Sequence, residues 1–214
     1  MIDSEETARA WLATLPEWTE SAAAQIDALI PLLVAEGARQ NLVSAASLDQ
    51  VWQRHIADSA QLLAHVPRET TGSWLDLGTG AGFPGLVIAA LRPELSVVMV
   101  ESRARRAEWL AQACAALNLP NAQVLGSRLE LVETQEFGLI SARAFAPLPR
   151  LLDLSARFST PQTIWLLPKG QSARQELAEL TGWNHLFHVE QSLTSPDAGV
   201  VVGRLVGKKG RKSK

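Results

Sequence analysis

The sequence has little cysteine and no long apolar run. Cys114 is the only cysteine among 214 residues, which excludes an internal disulfide and a multi-cysteine metal site. No stretch of about 18 consecutive apolar residues occurs, so no membrane-spanning helix is expected. The opening segment, residues 1–6, is acidic and lacks the basic start and apolar stretch of a secretory signal peptide. These absences predict a cytoplasmic protein that holds no metal and contacts no membrane.

Lysine is almost absent from the body of the chain, and the net charge of −2 is not that of a typical nucleic-acid binder. All lysines except Lys169 lie in the basic segment 208–214, and arginine supplies the remaining positive charge. We attribute the arginine preference to genomic composition, so a single lysine in the folded part suggests a specific task for Lys169. The basic segment, which includes Lys208 and Lys209, is either a solvated end or an arm that contacts RNA phosphates.

Residues 1–70 have the pattern of helices. Asp3 and Glu6 are spaced as in a capping box, which predicts the start of a first helix. A second helix is predicted from about Thr19 to Glu36, with Pro31 kinking or splitting it and Gly37 at its C-terminal cap. Ser47 and Gln50 repeat the capping-box spacing and predict the start of a third helix. We expect these helices to form an N-terminal extension.

From Gly72 onward, short apolar runs alternate with helical stretches. The runs are Trp74–Leu77, Val97–Val100, Gln123–Leu125, Phe137–Ile140 and Thr163–Leu167. This alternation predicts an α/β fold with a mainly parallel, doubly wound sheet. The last apolar segments, His185–Val189 and Val200–Val206, are expected to form an antiparallel hairpin at the sheet edge. We therefore predict one domain: a helical extension over 1–70, a Rossmann-like core over 71–206 and a basic tail over 207–214.

A glycine-rich loop follows the first predicted strand. Its glycines allow a tight turn and the close approach of a cofactor. Glu101, at the end of the second strand, can accept hydrogen bonds from both ribose hydroxyls of an adenosine. The segment Gly80–Gly85 also fits the dinucleotide pattern G-x-G-x-x-G, so a nicotinamide enzyme stays open. Asp76, ahead of Gly78, suits the ammonium and sulfonium groups of S-adenosylmethionine and would repel a pyrophosphate, which favours a methyltransferase.

Several short motifs outside the loop occur in a fixed order between residues 41 and 170. They are Asn41-Leu42-Val43-Ser44, Arg54-His55-Ile56-Ala57-Asp58-Ser59, Val100-Glu101-Ser102 with Arg105-Arg106, Ser127-Arg128-Leu129-Glu130, Ser141-Ala142-Arg143-Ala144-Phe145-Ala146 and Lys169-Gly170. With the glycine loop, they resemble the bacterial glucose-inhibited division protein B family (RsmG/GidB), the small-subunit rRNA guanine-N7 methyltransferases. The segment Pro196-Asp197-Ala198-Gly199 departs from the family, whose members often place Arg or Lys and then His after a carboxylate there.

The resemblance implies a Rossmann-like class I methyltransferase fold with a seven-stranded, mainly parallel sheet and an N-terminal helical extension. It implies S-adenosylmethionine as cofactor and a guanine in the 530 loop of 16S rRNA as target. The substrate form would be the small ribosomal subunit or an assembly precursor, with no obligate protein partner.

The resemblance also suggests site residues. Those that correspond by position to family cofactor contacts are Gly78, Phe83, Leu129, Glu130 and Arg143, and the general methyltransferase pattern adds Asp76, Gly80 and Glu101. Arg143 and Lys169, which follow the fourth and fifth strands, are the predicted catalytic residues. The candidate RNA-binding residues are Arg54, His55, Arg105, Arg106, Lys208 and Lys209. Arg54 and Asp58 also have the spacing of an intrahelical ion pair, in the weaker orientation.

Guanine N7 carries a lone pair and no proton, so its methylation requires no general base. The sequence agrees, because it has no recognisable Ser-His-Asp set and no Asn-Pro-Pro-Tyr motif of the kind that acts on exocyclic amines. Three alternatives remain at this point: a class I methyltransferase that acts on a small molecule or protein, an NAD(P)-dependent oxidoreductase, and a non-catalytic RNA-binding module.

Overall fold

The computed structural model describes residues 1–210, which are built around a seven-stranded sheet. The strands are β1 (Gly72–Leu77), β2 (Leu95–Val100), β3 (Ala122–Leu125), β4 (Phe137–Ala142), β5 (Ser159–Gly170), β6 (Trp183–His185), β7 (His188–Gln191), β8 (Gly199–Gly203) and β9 (Leu205–Lys208). The large sheet has the order β3-β2-β1-β4-β5-β8-β7. Strands β1 to β5 are parallel to one another, and β8 is antiparallel to both β5 and β7. The predicted mainly parallel α/β sheet is confirmed.

The C-terminal strands differ in detail from the prediction. The hairpin of β7 and β8 does close one edge of the large sheet, as expected. However, each predicted strand is divided, because β6 and β9 pair separately in a two-stranded sheet. The division falls at Gly203, whose φ is +142° and whose absent Cβ would lie 2.3 Å from the Leu186 carbonyl oxygen. This close approach of two backbones turns the chain from one sheet into the other.

Helices cover both faces of the large sheet. The ones that follow β1 are α5 (Gly85–Leu91), α6 (Ala104–Ala116), α7 (Leu148–Ser155) and α8 (Ala173–Ala178). Consecutive residues of β1 lie in different cores. Trp74 packs in the core that includes the N-terminal helices, and Leu75 packs in the core that includes α7. Both are fully buried, as expected for a parallel strand covered on two sides.

The first two N-terminal helices begin and end differently from the prediction. Helix α1 (Glu5–Leu12) is capped by Ser4, whose hydroxyl accepts a hydrogen bond from Thr7 N at 3.1 Å. The expected Asp3–Glu6 capping box is therefore wrong. Helix α2 (Glu20–Gly37) continues through Pro31, so Pro31 does not split it and the kink stays a prediction; Gly37 is the last residue of the helix and not its cap.

The third helical region starts earlier than predicted and changes character along its length. Helix α3 (Ala45–Leu48) is capped by Ser44, whose hydroxyl accepts from the Ser47 amide at 3.1 Å, so Ser47 is not the cap. A π-helical segment follows over Trp52–Ala57, then α4 (Asp58–Ala60) and a 3₁₀ segment over Gln61–His65. Single π-helical turns are frequent at functional sites.

None of the helices within residues 1–210 has the length and apolar character needed to cross a bilayer.

Candidate active site

The glycine-rich loop leaves the carboxyl end of β1, next to the point where the strand order reverses between β1 and β4. Open α/β sheets bind ligands at such a point. Gly78 and Gly80 have φ values of +64° and +61°, in the left-handed region that favours glycine. A Cβ on Gly78 would lie 2.4 Å from Cδ2 of Phe145. Position 78 therefore requires glycine for two reasons: the backbone has a positive φ, and the Phe145 ring leaves no room for a Cβ.

Asp76 holds the two ends of this loop together. Its side chain is fully buried, and its carboxylate accepts hydrogen bonds from the Ser141 hydroxyl at 2.7 Å and the Gly85 amide at 3.1 Å. Burial raises the pKa of the Asp76 carboxyl, although these hydrogen bonds oppose the shift. The carboxylate faces the interior of the loop and not an open cavity. Its position suits shaping the cofactor loop, in contrast to the direct contact with an ammonium group that the sequence suggested.

Glu101 connects the end of β2 to the loop and to α6. One carboxylate oxygen accepts from the Gly80 amide at 3.0 Å and the other from the Arg103 amide at 2.8 Å. Only 5% of the residue is exposed. An ionised carboxylate has about four lone-pair sites, so two bonds leave capacity for ribose hydroxyls.

Two cavities meet at Gly78, which lines both. The first has a volume of about 300 Å³ and lies over the ends of β2, β3 and β4, with Leu129, Glu130 and Phe145 in its wall. Leu129 is buried, whereas Glu130 is exposed and pairs with Arg128 at 3.5 Å. This cavity therefore has apolar walls and a polar rim, as an adenine site requires.

The second cavity, of about 360 Å³, lies between the loop and the N-terminal extension. Its lining includes Ser44, Phe83, His55, Arg106 and Arg143. The His55 ring stacks on the buried Phe83 ring, with centroids 4.8 Å apart. The extension thus supplies one wall of a site whose other wall is the glycine loop.

Arg143 extends from the end of β4 to the N-terminal extension. Its guanidinium donates to the Arg54 carbonyl oxygen at 3.1 Å and to Asp58 Oδ2 at 3.3 Å. The other oxygen of Asp58 accepts from the Thr194 hydroxyl at 2.8 Å and from the Gln61 amide at 2.8 Å. The predicted Arg54–Asp58 pair is therefore wrong, because other partners already occupy the Asp58 carboxylate.

His55 is a neutral side chain in this site. Burial, followed by the positive charges of Arg143 and Arg54, lowers its pKa to about 3. Nη2 of Arg143 lies 3.1 Å from His55 Nδ1. Because an arginine only donates, Nδ1 accepts and the ring proton is on Nε2. Only 7% of the residue is exposed, so its main contacts are with the loop and Arg143, and the predicted RNA contact has little surface available.

A third cavity, of about 710 Å³, opens beside the second and shares Ser47, His55, Arg143 and Ala144 with it. Arg54 is exposed at its edge and Lys169 is in its wall. We refer to this cavity as the target cleft. Its size and its connection with the second cavity suit a nucleotide that approaches the cofactor from outside.

Lys169 has specific partners in the wall of the target cleft. Its ammonium group donates to the Ala146 carbonyl oxygen at 2.6 Å and pairs with Glu176 at 2.9 Å. The same Glu176 oxygen accepts from the Leu148 amide at 2.7 Å. The lysine predicted to be catalytic thus joins β5 to the segment after β4.

The remaining candidate RNA-binding residues lie at two places. Arg105 and Arg106 donate to carbonyl oxygens of the connection between α2 and α3, at Arg39 and Asn41, both at 3.0 Å. Lys208 pairs with Asp153 at 3.2 Å, and the Lys209 amide donates to the Gly182 carbonyl oxygen. The rest of the predicted basic arm, residues 211–214, lies outside the described residues.

Sequence reasoning missed three contributors to the site. Asp58 lies within the Arg-His-x-x-Asp-Ser motif, but the motif alone does not identify it as a site residue. Phe145 lies in the Arg-Ala-Phe-Ala motif, after Ala144, whose φ is +52°. Thr194 carries no recognisable signal, because its role depends on a contact with a residue far away in the chain.

Comparison with known proteins gives consistent matches. The family described as rRNA small subunit methyltransferase G matches residues 22–196. Ribosomal RNA small subunit methyltransferase G of Erythrobacter litoralis is 60% identical over 206 residues, which cover 95% of this chain and 98% of that protein.

Solved structures show the same fold at low sequence identity. A putative O-methyltransferase from Klebsiella pneumoniae gives a TM-score of 0.59 at 14% identity, covering 93% of this chain and 96% of that one. A mutant of MtNAS in complex with S-adenosylmethionine gives 0.57 at 15% identity, covering 95% and 84%. Taken with the family match and the close relative, these findings show that the chain belongs to the rRNA small subunit methyltransferase G family.

Proposed function

We propose that this protein transfers the methyl group of S-adenosylmethionine to N7 of a guanine in the 530 loop of 16S rRNA, in the cytoplasm. The observation that carries the proposal is the position of Gly78. It lies between a cavity suited to adenosine and a second cavity that adjoins the target cleft. A cofactor that spans Gly78 would present its methyl group towards that cleft.

The residues around Gly78 fit this cofactor. Leu129 and Phe145 line the first cavity and offer apolar surfaces for adenine. Glu101 lies between two lining residues, Val100 and Ser102, and its carboxylate has lone pairs left for the ribose. A side chain at Gly78 would fill space at the meeting point of the two cavities. The relationship to MtNAS, whose mutant was solved in complex with S-adenosylmethionine, supports the fold and is compatible with this assignment.

When bound, S-adenosylmethionine supplies an electrophilic methyl group on a sulfonium. The protein's task is to hold guanine N7 in line with that methyl group and to exclude water. Alignment of this kind can contribute about 7–11 kcal/mol. His55, with its pKa lowered to about 3, is neutral at physiological pH, and the reaction needs no group to remove a proton from N7. Arg54, exposed at the edge of the target cleft, is available to a phosphate or to guanine O6.

The alternatives make different predictions. Membership of the methyltransferase G family argues against a nicotinamide oxidoreductase and a non-catalytic RNA-binding module. A methyltransferase for a small molecule or another protein would have the same cofactor site but would not modify ribosomal RNA. The name of the Erythrobacter litoralis relative supports rRNA as the substrate.

Mass mapping of 16S rRNA from cells with and without the gene tests the proposal. We expect N7-methylguanosine in the 530 loop to disappear with the gene and to return with the wild-type gene. Purified protein should then be assayed on naked 16S rRNA, on assembled small subunits and on assembly precursors. Methylation of one of these at the mapped guanine supports the proposal and identifies the substrate form. Unchanged 16S rRNA in the deletion strain contradicts it.

A further inference from the structure

The second cavity is positively charged. Two of its lining residues, Arg106 and Arg143, carry a permanent charge, and none of the described residues that line it is an aspartate or glutamate. The nearby His55 is neutral. The chain as a whole carries a net charge of −2, so the positive charge of this cavity is a local property and not that of the whole chain. It favours an anionic group at this place.

The two arginines differ in how far their charge is already balanced. Nη1 of Arg143 donates to both the Asp58 carboxylate at 3.3 Å and the Arg54 carbonyl oxygen, and Nη2 donates to His55. Arg106 forms one side-chain hydrogen bond, from Nη2 to the Asn41 carbonyl oxygen. Within residues 1–210, no carboxylate pairs with it.

Arg106 also lies against the glycine loop. Its Nη1 is 3.7 Å from the position that a Cβ on Gly80 would occupy. The side chain is half-buried, and its neighbour Arg105 is exposed and does not line the cavity. A guanidinium has five N–H donors, so Arg106 retains donors on the side of the cavity.

We infer that Arg106 binds the α-carboxylate of the methionine part of the cofactor. This inference rests on the proposed function, which places adenosine in the cavity beside Leu129. The methionine part then passes Gly78 and enters the second cavity, where the unbalanced charge lies. Arg106 is therefore assigned to recognition of the cofactor and not to the RNA contact suggested by the sequence.

Decarboxylated S-adenosylmethionine is the matched probe, because it lacks the carboxylate but keeps the sulfonium, the amine and the adenosine. Affinities of both compounds should be measured by calorimetry for the wild type, Arg106→Gln, Arg106→Lys and Arg105→Gln. The wild type should prefer S-adenosylmethionine by roughly tenfold or more, as expected for a charge-assisted hydrogen bond. Arg106→Gln should bind the two compounds about equally, Arg106→Lys should regain part of the preference, and Arg105→Gln should behave as the wild type.

The outcomes separate this inference from the proposed function. If the wild type binds S-adenosylmethionine but Arg106→Gln keeps the full preference, the assignment of Arg106 is wrong and the proposed function stands. If Arg106→Gln keeps the preference and loses only its affinity for rRNA, Arg106 is an RNA contact. If the wild type binds neither compound, the proposed function itself fails and the assignment fails with it. Thermal melting of each variant confirms that it is folded.

Discussion

The cofactor region and the target cleft are built in different ways. The turn of the cofactor region is formed by residues near one another in the chain, from Asp76 to Glu101, held by hydrogen bonds at the ends of adjacent strands, and Leu129 and Phe145 complete the cavity beside it. In the target cleft, Asp58 connects distant parts of the chain. Its carboxylate accepts hydrogen bonds from Arg143, which follows β4, and from Thr194 of the β7–β8 connection. Local geometry dominates the first region and long-range polar contacts dominate the second. Substitutions in the cofactor region should therefore affect cofactor binding, and substitutions in the target cleft should affect methylation.

The largest effect is expected from Gly78→Val. The new side chain would meet Phe145, since even a Cβ there would lie 2.4 Å from that ring, and the backbone would remain at φ +64°. Strain and overpacking of this kind cost several kcal/mol, so affinity for S-adenosylmethionine should fall by roughly 100-fold or more. Calorimetry measures the change. In Gly37→Ala, the control, nothing lies within 4 Å of the added Cβ and affinity should not change. Normal binding by Gly78→Val would show that the cofactor does not use this turn.

Asp58→Asn should impair methylation while leaving cofactor binding nearly intact. The amide retains the size of the carboxylate but loses the charge that pairs with Arg143 and one of the accepting oxygens. Loss of a charge-assisted hydrogen bond predicts a decrease in kcat/KM of roughly 10–100-fold on small subunits. Exposed Asp49→Asn is the control. If Asp58→Asn weakens S-adenosylmethionine binding as much as it weakens methylation, the two regions do not act separately.

This comparison also explains what the sequence could predict. The sheet, the glycine loop and Glu101 follow patterns that are local in the chain, and the structure brings them together at one sheet edge. The direction of the Asp76 carboxylate could not be predicted, because it depends on Ser141 of a neighbouring strand. The same holds for Asp58, whose partner was expected four residues away and is instead Arg143. Such contacts are set by tertiary packing.

Lys169, in the wall of the target cleft, could contact the target nucleotide directly or stabilise the wall. We expect support, because its ammonium group joins Ala146 to Glu176. Lys169→Met and Glu176→Gln should then each destabilise the fold by about 1–3 kcal/mol, as expected when a buried charge loses its partner. They should also reduce methylation to a similar extent. Urea unfolding and single-turnover methylation provide the two measurements. If only Lys169→Met loses methylation, and its stability equals that of Glu176→Gln, then Lys169 contacts the target directly.

The smallest effect at neutral pH is expected at His55, where the two regions touch, because this residue changes the pH dependence of stability and acts mainly in acid. Burial and the charges of Arg143 and Arg54 lower the folded-state pKa of His55 from 6.5 to about 3. Between these values the unfolded chain binds a proton that the folded protein does not. Stability therefore falls as the pH decreases through this window, by up to ~1.4 kcal/mol per pH unit.

His55→Gln removes this proton uptake. The free energy of unfolding of the variant should therefore decrease less steeply as the pH falls, by up to ~1.4 kcal/mol per pH unit. The slope is measured as the free energy of unfolding in urea at several pH values between 4.5 and 7.5. His188→Gln, at an exposed position, controls for the general loss of a histidine. Equal slopes in His55→Gln and the wild type would mean that the imidazole is accessible to protons in the folded state. The extension would then be packed less tightly against the glycine loop than the stacking of His55 on Phe83 requires, and the target cleft would be open to water beside the cofactor.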